Sequence, residues 1–338
     1  MKKKRSVKKK RTSRTHSKAR VRKTAHVLWG FKDFLSMKEV HSQDLDVLFK
    51  LADKMKKKPE QFYGKLKGKS LAMLFQKPST RTRVSFEVGM HELGGAAVYM
   101  PPQEHPLGDR ESIKDIARVL SRYCDAAVIR TYAHSDIEDF ARNADIPVIN
   151  GLSDAYHPCQ TLADLYTIRE KFKGLAKMNI AYTGDGNNVL SSLLYGATKA
   201  GANLAIALPR GYEPNEEILK DIKLISKDSG SKVTLSNNPF TAIKNAHAIY
   251  TDVWVSMGQE KQRDQRLRDF QPFKVNSAII GKAPKDSVIM HCLPAHRGEE
   301  ITDEVIEHPR SAIFDQAENR LHTQKALLYL MMTKKRKK

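Results

Sequence analysis

The chain has 338 residues, with 59 Lys and Arg against 38 Asp and Glu, a formal charge of +21. That length holds two ordinary domains, and no stretch reaches the ~18 apolar residues of a membrane helix. The three cysteines, Cys124, Cys159 and Cys292, are odd in number and far apart, which argues against a disulfide framework and fits a reducing compartment.

No Cys/His group has zinc-ligand spacing. The charge is concentrated at the two ends. Residues 1–24 carry 13 Lys and Arg and no acid, and residues 334–338 are all basic. Without these 18, 41 basic residues face 38 acidic ones, so the body is close to neutral. The N-terminal stretch has too few apolar residues to bury a core and reads as a disordered tail. It lacks the apolar centre of a secretory signal. Its Arg, Ser and missing acids are similar to an organellar transit peptide, but it is Lys-rich and weakly amphipathic, so a cytoplasmic protein is expected. The sharper role for such tails is non-specific contact with a polyanion, RNA or an anionic membrane.

From residue 44 helices and strands alternate. Residues 44–55 read as a helix, with Leu45, Leu48, Leu51 and Met55 at helical spacing. Residues 70–75 read as a short buried strand, and 82–93 as a helix whose apolar positions are Val84, Phe86, Val88 and Leu93. Between them Ser79, Thr80, Arg81, Thr82 and Arg83 fall on the turn that opens the helix. A helix N-terminus has unpaired N–H groups and a partial positive charge. Hydroxyls and guanidinium groups there make an anion site suited to phosphate.

A strand at 96–100 follows, then a Pro- and Gly-rich loop at 101–109, a helix at 110–123, a strand at 126–129, a helix at 135–143 and a strand at 146–150. A long helix at 158–172 starts with proline, a favoured first position. A second series begins near 177, with strands at 179–183, 204–208, 232–235, 248–251 and 287–291 and helical stretches between them. The last helix, 318–332, has no strand after it.

The fold class this implies is α/β, in two domains, each a mainly parallel sheet covered by helices on both faces. The expected division is a basic tail at 1–24, a first domain at 31–173, a second at 174–317, a C-terminal helix at 318–333 packing back on the first domain, and a basic tail at 334–338. In such sheets ligands bind at the carboxyl ends of strands. The residues with chemistry stand there: 79–83, Arg130, 157–160, 184–188, Asp252 and 291–294. Residues 184–188, Gly-Asp-Gly-Asn-Asn, imitate a dinucleotide fingerprint, but Val189 replaces its third glycine and NAD is not expected.

Together these segments resemble the aspartate/ornithine carbamoyltransferase family, over about 31–332 and not over the tails. Residues 79–83 resemble the family's carbamoyl-phosphate loop, and His157-Pro158-Cys159-Gln160 its second phosphate-side motif. Asp252 with Ser256-Met257-Gly258, and His291-Cys292-Leu293-Pro294, resemble the ornithine branch. The resemblance implies carbamoyl transfer from carbamoyl phosphate to the δ-amine of L-ornithine, giving citrulline and phosphate. It implies a homotrimer or a multiple of trimers, sites at subunit interfaces, and no metal or organic cofactor.

It also implies roles. Ser79, Thr80, Arg81 and Thr82 hold the phosphate. Arg130 and His157 reach the phosphate and carbonyl oxygens, and Gln160 bonds the carbamoyl amide. Arg320 completes this half if the last helix folds back. Gln103 stands where the family's loop enters a neighbouring subunit's site, but the paired Pro101 and Pro102 depart from the pattern and leave a plain surface loop as the alternative. Asn188, Asp252, Ser256, Met257 and Leu293 surround the amino-acid end of ornithine. Cys292 lies beside the attacking amine, where a thiolate coupled to Asp252 would position it or accept its proton.

Another acceptor, putrescine or acetylornithine, is the nearest rival. Aspartate is disfavoured by the Cys292 motif. A protein of a different class, binding polyanions through its tails, is opposed by the near-neutral body, and an inactive scaffold by the presence of every expected catalytic position.

Overall fold

The computed structural model describes residues 30–103 and 106–333; both basic tails and Glu104-His105 lie outside them. The first series is α1 (Ser42–Lys57), β1 (Ser70–Phe75), α2 (Thr80–Glu92), β2 (Ala96–Met100), α3 (Ile113–Tyr123), β3 (Ala126–Arg130), α4 (His134–Asn143), β4 (Val148–Leu152) and α5 (Pro158–Phe172). Its strands form a parallel sheet in the order β2-β1-β3-β4. The second series is β5 (Asn179–Thr183), α6 (Asn188–Lys199), β6 (Asn203–Ala207), α7 (Glu216–Ser229), β7 (Val233–Ser236), α8 (Pro239–Ile243), β8 (Ala248–Thr251), α9 (Arg263–Phe270), α10 (Ser277–Lys282), β9 (Val288–His291), α11 (Asp303–Ile306) and α12 (Ile313–Met332). Its five strands are parallel in the order β7-β6-β5-β8-β9.

Each sheet reverses its strand order once, between β1 and β3 and between β5 and β8. Loops leaving two such strands diverge and open a crevice. The two sheets share one apolar core. It runs from Leu71 and Met73 through Leu162 and Leu165 of α5 to Tyr182, Leu190 and Leu193, and takes in Leu327 and Leu328 of α12. The C-terminal helix packs on α1, α2 and α5 of the first domain. No helix among the described residues is long and apolar enough to cross a membrane.

Several elements differ from the expected ones, each for a local reason. The helix expected at 82–93 begins at Thr80, because the Ser79 hydroxyl caps it by accepting the Thr82 N–H at 3.2 Å. Its buried stripe is Thr82, Phe86, Gly89 and Met90, and Val84 and Val88 are exposed on the other side. The helix expected from 110 starts at Ile113, capped by Ser112. The strand expected at 146–150 lies at Val148–Leu152, since Pro147 has no N–H to give a ladder. The last helix starts at Ile313, five residues before the expected position, and so brings Gln316 into a helical turn.

Candidate active site

The carboxyl ends of both sheets open on one cleft of about 940 Å³. Ser79, Arg81, Thr82, Arg130, His157, Gln160 and Arg320 line one side, and Asn188, Asp252, Ser256, Met257, Cys292 and Leu293 the other. Two expected site residues do not line it. Thr80 is exposed on the first turn of α2, and Gln103 is exposed in its loop. Arg83 also leaves the anion turn: it pairs with Glu87 at 3.0 Å and stacks on Tyr99 at 3.6 Å, outside the cleft lining.

The first side gathers three guanidinium groups. Arg130 ends β3, Arg81 lies in the first turn of α2, and Arg320 reaches back from α12. Arg320 is buried and held by three of its five N–H groups, which leaves two for a ligand: Nη2 donates to Thr82 Oγ1 at 2.9 Å, Nη1 to Gln160 Oε1 at 2.6 Å, and Nε to Gln324 Oε1 at 2.9 Å. Because Thr82 accepts from Arg320, its own O–H is left to donate. Burial, then Arg320 and Arg81, pull the Arg130 guanidinium down to about 10. Burial and the same three arginines hold His157 well below the ordinary histidine value, so its imidazole is neutral. Arg130 Nε and His157 Nδ1 are buried without a partner. Mutually repelling cations with unpaired buried nitrogens among them suit an anion.

The second side is acidic. Asp252 follows β8; its carboxylate accepts from Cys292 Sγ at 2.8 Å and from Asn187 Nδ2 at 2.7 Å. Asn187 in turn caps α6, accepting the Val189 and Leu190 N–H groups. Burial, and then the charge of Asp252, push Cys292 well above the ordinary thiol value. That direction and the bond from Sγ to Asp252 favour a thiol that donates to the carboxylate over the expected thiolate. Asn188 spends its Nδ2 on the Ser153 carbonyl at 2.6 Å, a bond between the two domains. Arg266, paired with buried Asp185 at 3.0 Å, donates to the Trp254 carbonyl at 2.8 Å and pins the loop that carries Ser256 and Met257.

Sequence reasoning passed over Lys77 and Asn187. Lys77 is buried, pairs with Asp154, lies 4.1 Å from the Tyr132 ring centre and lines the cleft. Its position just after β1 was the available signal. Asn187 stood inside the fingerprint-like turn.

That turn has its own explanation. A Cβ on Gly186 would lie 2.4 Å from the Tyr212 carbonyl oxygen and 2.7 Å from Glu213 and Pro214 backbone atoms. The glycine admits a neighbouring loop, where a dinucleotide fingerprint would admit a pyrophosphate. Gly186→Ala is expected to lower stability by about 1–3 kcal/mol, read as a fall in the denaturant midpoint.

Among the described residues, two groups of side chains have the spacing to hold a cation. Asp252, His291 and Cys292 place one donor each within 4.8 Å of one another, as do His296, Glu299 and Glu300. In the first, His291 Nδ1 accepts the Leu293 N–H at 2.8 Å and the thiol is bonded to Asp252, so its donors are already engaged. In the second, Glu299 pairs with Arg263 and Glu300 with His291.

Comparison with known proteins gives the cleft its context. Residues 32–170 match the carbamoyl-P binding domain, and residues 176–331 the Asp/Orn binding domain, of aspartate/ornithine carbamoyltransferase. A relative from Anoxybacillus flavithermus, named ornithine carbamoyltransferase, is 49% identical over 91% of this chain and 99% of its own. The chain belongs to the aspartate/ornithine carbamoyltransferase family. Within that family, a Pyrococcus furiosus protein named ornithine carbamoyltransferase, anabolic, is 50% identical over 89% of this chain and 96% of its own. A solved Pyrococcus furiosus ornithine carbamoyltransferase superimposes with a TM-score of 0.87 at 49% identity, covering 90% of this chain and 98% of that one. An anabolic ornithine carbamoyltransferase from Campylobacter jejuni does so at 0.85 and 37% identity, over 89% and 99%.

Proposed function

We propose that the protein is an ornithine carbamoyltransferase working toward citrulline. The observation that carries this is one cleft with a three-arginine anion site on one wall and a thiol-bonded aspartate on the other. Carbamoyl phosphate fits the first wall: phosphate among Ser79, Arg81, Thr82 and Arg320, and the carbonyl oxygen toward Arg130 and His157. Asp252 fits the α-ammonium of ornithine, beside Asn188, Ser256, Met257 and Leu293. The neutral δ-amine attacks the carbonyl carbon. The new C–N bond forms, the C–O bond to phosphate breaks, and the proton lost by the amine leaves with the departing phosphate. Negative charge builds on the carbonyl oxygen, where fixed donors act on the transition state more than on the substrate.

The test is a citrulline-formation assay with ornithine, putrescine, acetylornithine and aspartate side by side. Turnover of ornithine far above the other three is the expected result, and its absence sinks the reading.

We also place the enzyme in the cytoplasm as a trimer. Its three cysteines are free, as a reducing compartment leaves them. Val84, Val88 and Val98 are exposed on α2 and the edge strand β2, next to the turn with Thr80 and the loop with Gln103. Covering this face with a second copy would bring Gln103 toward a neighbouring cleft. Light scattering is expected to give three times the chain mass, and Val98→Glu to lower it. Removing residues 1–24 and 334–338 is expected to leave turnover unchanged, while any salt-dependent binding to polyanions through the tails disappears with them.

A further inference from the structure

Asp164 lies one turn beyond Gln160 on α5, buried beneath the cleft and outside its lining. Its carboxylate accepts three hydrogen bonds. Oδ1 takes Gln160 Nε2 at 2.8 Å and Gln316 Nε2 at 2.6 Å, and Oδ2 takes the Tyr250 hydroxyl at 3.1 Å. The three partners come from the first domain, the C-terminal helix and the second domain.

Two lines of bonds leave this point. On the phosphate side, Gln160 Oε1 accepts Arg320 Nη1 at 2.6 Å, and Arg320 holds Thr82. On the acceptor side, Gln316 Oε1 accepts the backbone N–H of His291 at 2.9 Å, one residue before the Cys292 that bonds Asp252. An amide side chain has a donor end and an acceptor end, and either can face a given partner. A carboxylate only accepts. It therefore fixes the NH₂ ends of both glutamines toward itself and turns both carbonyls outward, one to a guanidinium and one to a backbone N–H.

We propose that Asp164 is the positioning residue for both halves of the carbamoyl-transfer site, setting Arg320 through Gln160 and the His291–Cys292 strand end through Gln316. This rests on the ornithine carbamoyltransferase reading of the cleft. A neutral amide at position 164 has a donor of its own, so it no longer dictates which way either glutamine turns.

Burial pushes the Asp164 carboxyl up to about 7, against the pull of its three hydrogen bonds and of Arg320. The titratable groups coupled to it are Arg320 on α12, Tyr250 on β8, Tyr182 on β5 and Cys292 after β9. Protonation removes the negative charge that offsets Arg320. The kcat/KM for carbamoyl phosphate, which reports the free enzyme, should then fall on the acid side of about pH 7.

The experiment is steady-state kinetics of the full chain and two variants. Asp164→Asn is expected to raise KM for both substrates by about tenfold, the effect of one misplaced hydrogen bond at ~1.4 kcal/mol, and to lose the acid limb. Gln316→Met cuts only the acceptor line and is expected to raise KM for ornithine by a similar factor, leaving that for carbamoyl phosphate unchanged. A merely structural role lowers the active fraction and so kcat, with both KM values intact. Asp164→Asn with wild-type KM values and the same acid limb overturns the proposal. If that variant does not fold, an unchanged ornithine KM in Gln316→Met overturns it. A wild-type chain that does not turn over ornithine instead overturns the reading beneath it.

Discussion

Arg130→Ala is expected to lower kcat by about 100- to 1000-fold, the loss seen when a fixed donor is removed from an oxyanion site. The guanidinium ends β3 at the reversal of the first sheet, and its Nε is buried without a partner. It lies in the field of Arg81 and Arg320, which help burial to pull it down to about 10. The unliganded protein therefore gains nothing electrostatically from Arg130; an anion does. Thermal unfolding separates the two. Without ligand, the variant should melt at or above the wild-type temperature, since a mutual repulsion is gone. With carbamoyl phosphate at 100 times its Kd the wild type gains about 2.7 kcal/mol, and the variant far less. A variant that melts early without ligand would show Arg130 to be structural.

Asp252→Asn carries the second large effect. Its carboxylate holds two neutral donors, Cys292 and Asn187, and is nine-tenths or more buried. Removing one member of a buried charge pair costs roughly 2–5 kcal/mol. KM for ornithine is expected to rise by at least about 30-fold, with KM for carbamoyl phosphate within about twofold of wild type. Cys292→Ser tests the other half of the pair. A serine hydroxyl donates to Asp252 as the thiol does, so a positioning role predicts less than about tenfold loss and an unchanged pH profile. A thiolate base predicts a larger loss and a shifted profile. The structure favours the first outcome, because burial and the charge of Asp252 hold Cys292 protonated.

The elements were legible where their signal is local. Ser70–Phe75, Ala96–Met100, Pro158–Phe172, Asn179–Thr183 and Ala248–Thr251 have the bounds that the sequence pattern predicts. Errors arose where the deciding partner is distant. Val84 and Val88 looked like core positions, but α12 packs against the Phe86–Met90 side of α2, and nothing in residues 80–92 states where α12 lies. Ile313 and Gln316 carry no start signal for a helix, yet α12 begins there, and one of the first residues it contributes is the amide that meets Asp164.

By itself the sequence determined the parallel α/β architecture, the strand ends where chemistry gathers, and the anion turn at residues 79–83. Periodicity, capping and strand-end residues are properties of neighbours along the chain. Only the tertiary structure decided which hydroxyls and guanidiniums of that turn face the cleft, that Thr80 and Arg83 do not, and that Cys292 is buried against Asp252. It also placed Asp164 under both half-sites. Exposure, protonation and amide orientation depend on groups more than a hundred residues apart, such as Thr82 and Arg320 or Asp164 and Gln316. Packing sets those distances, and no short segment encodes them.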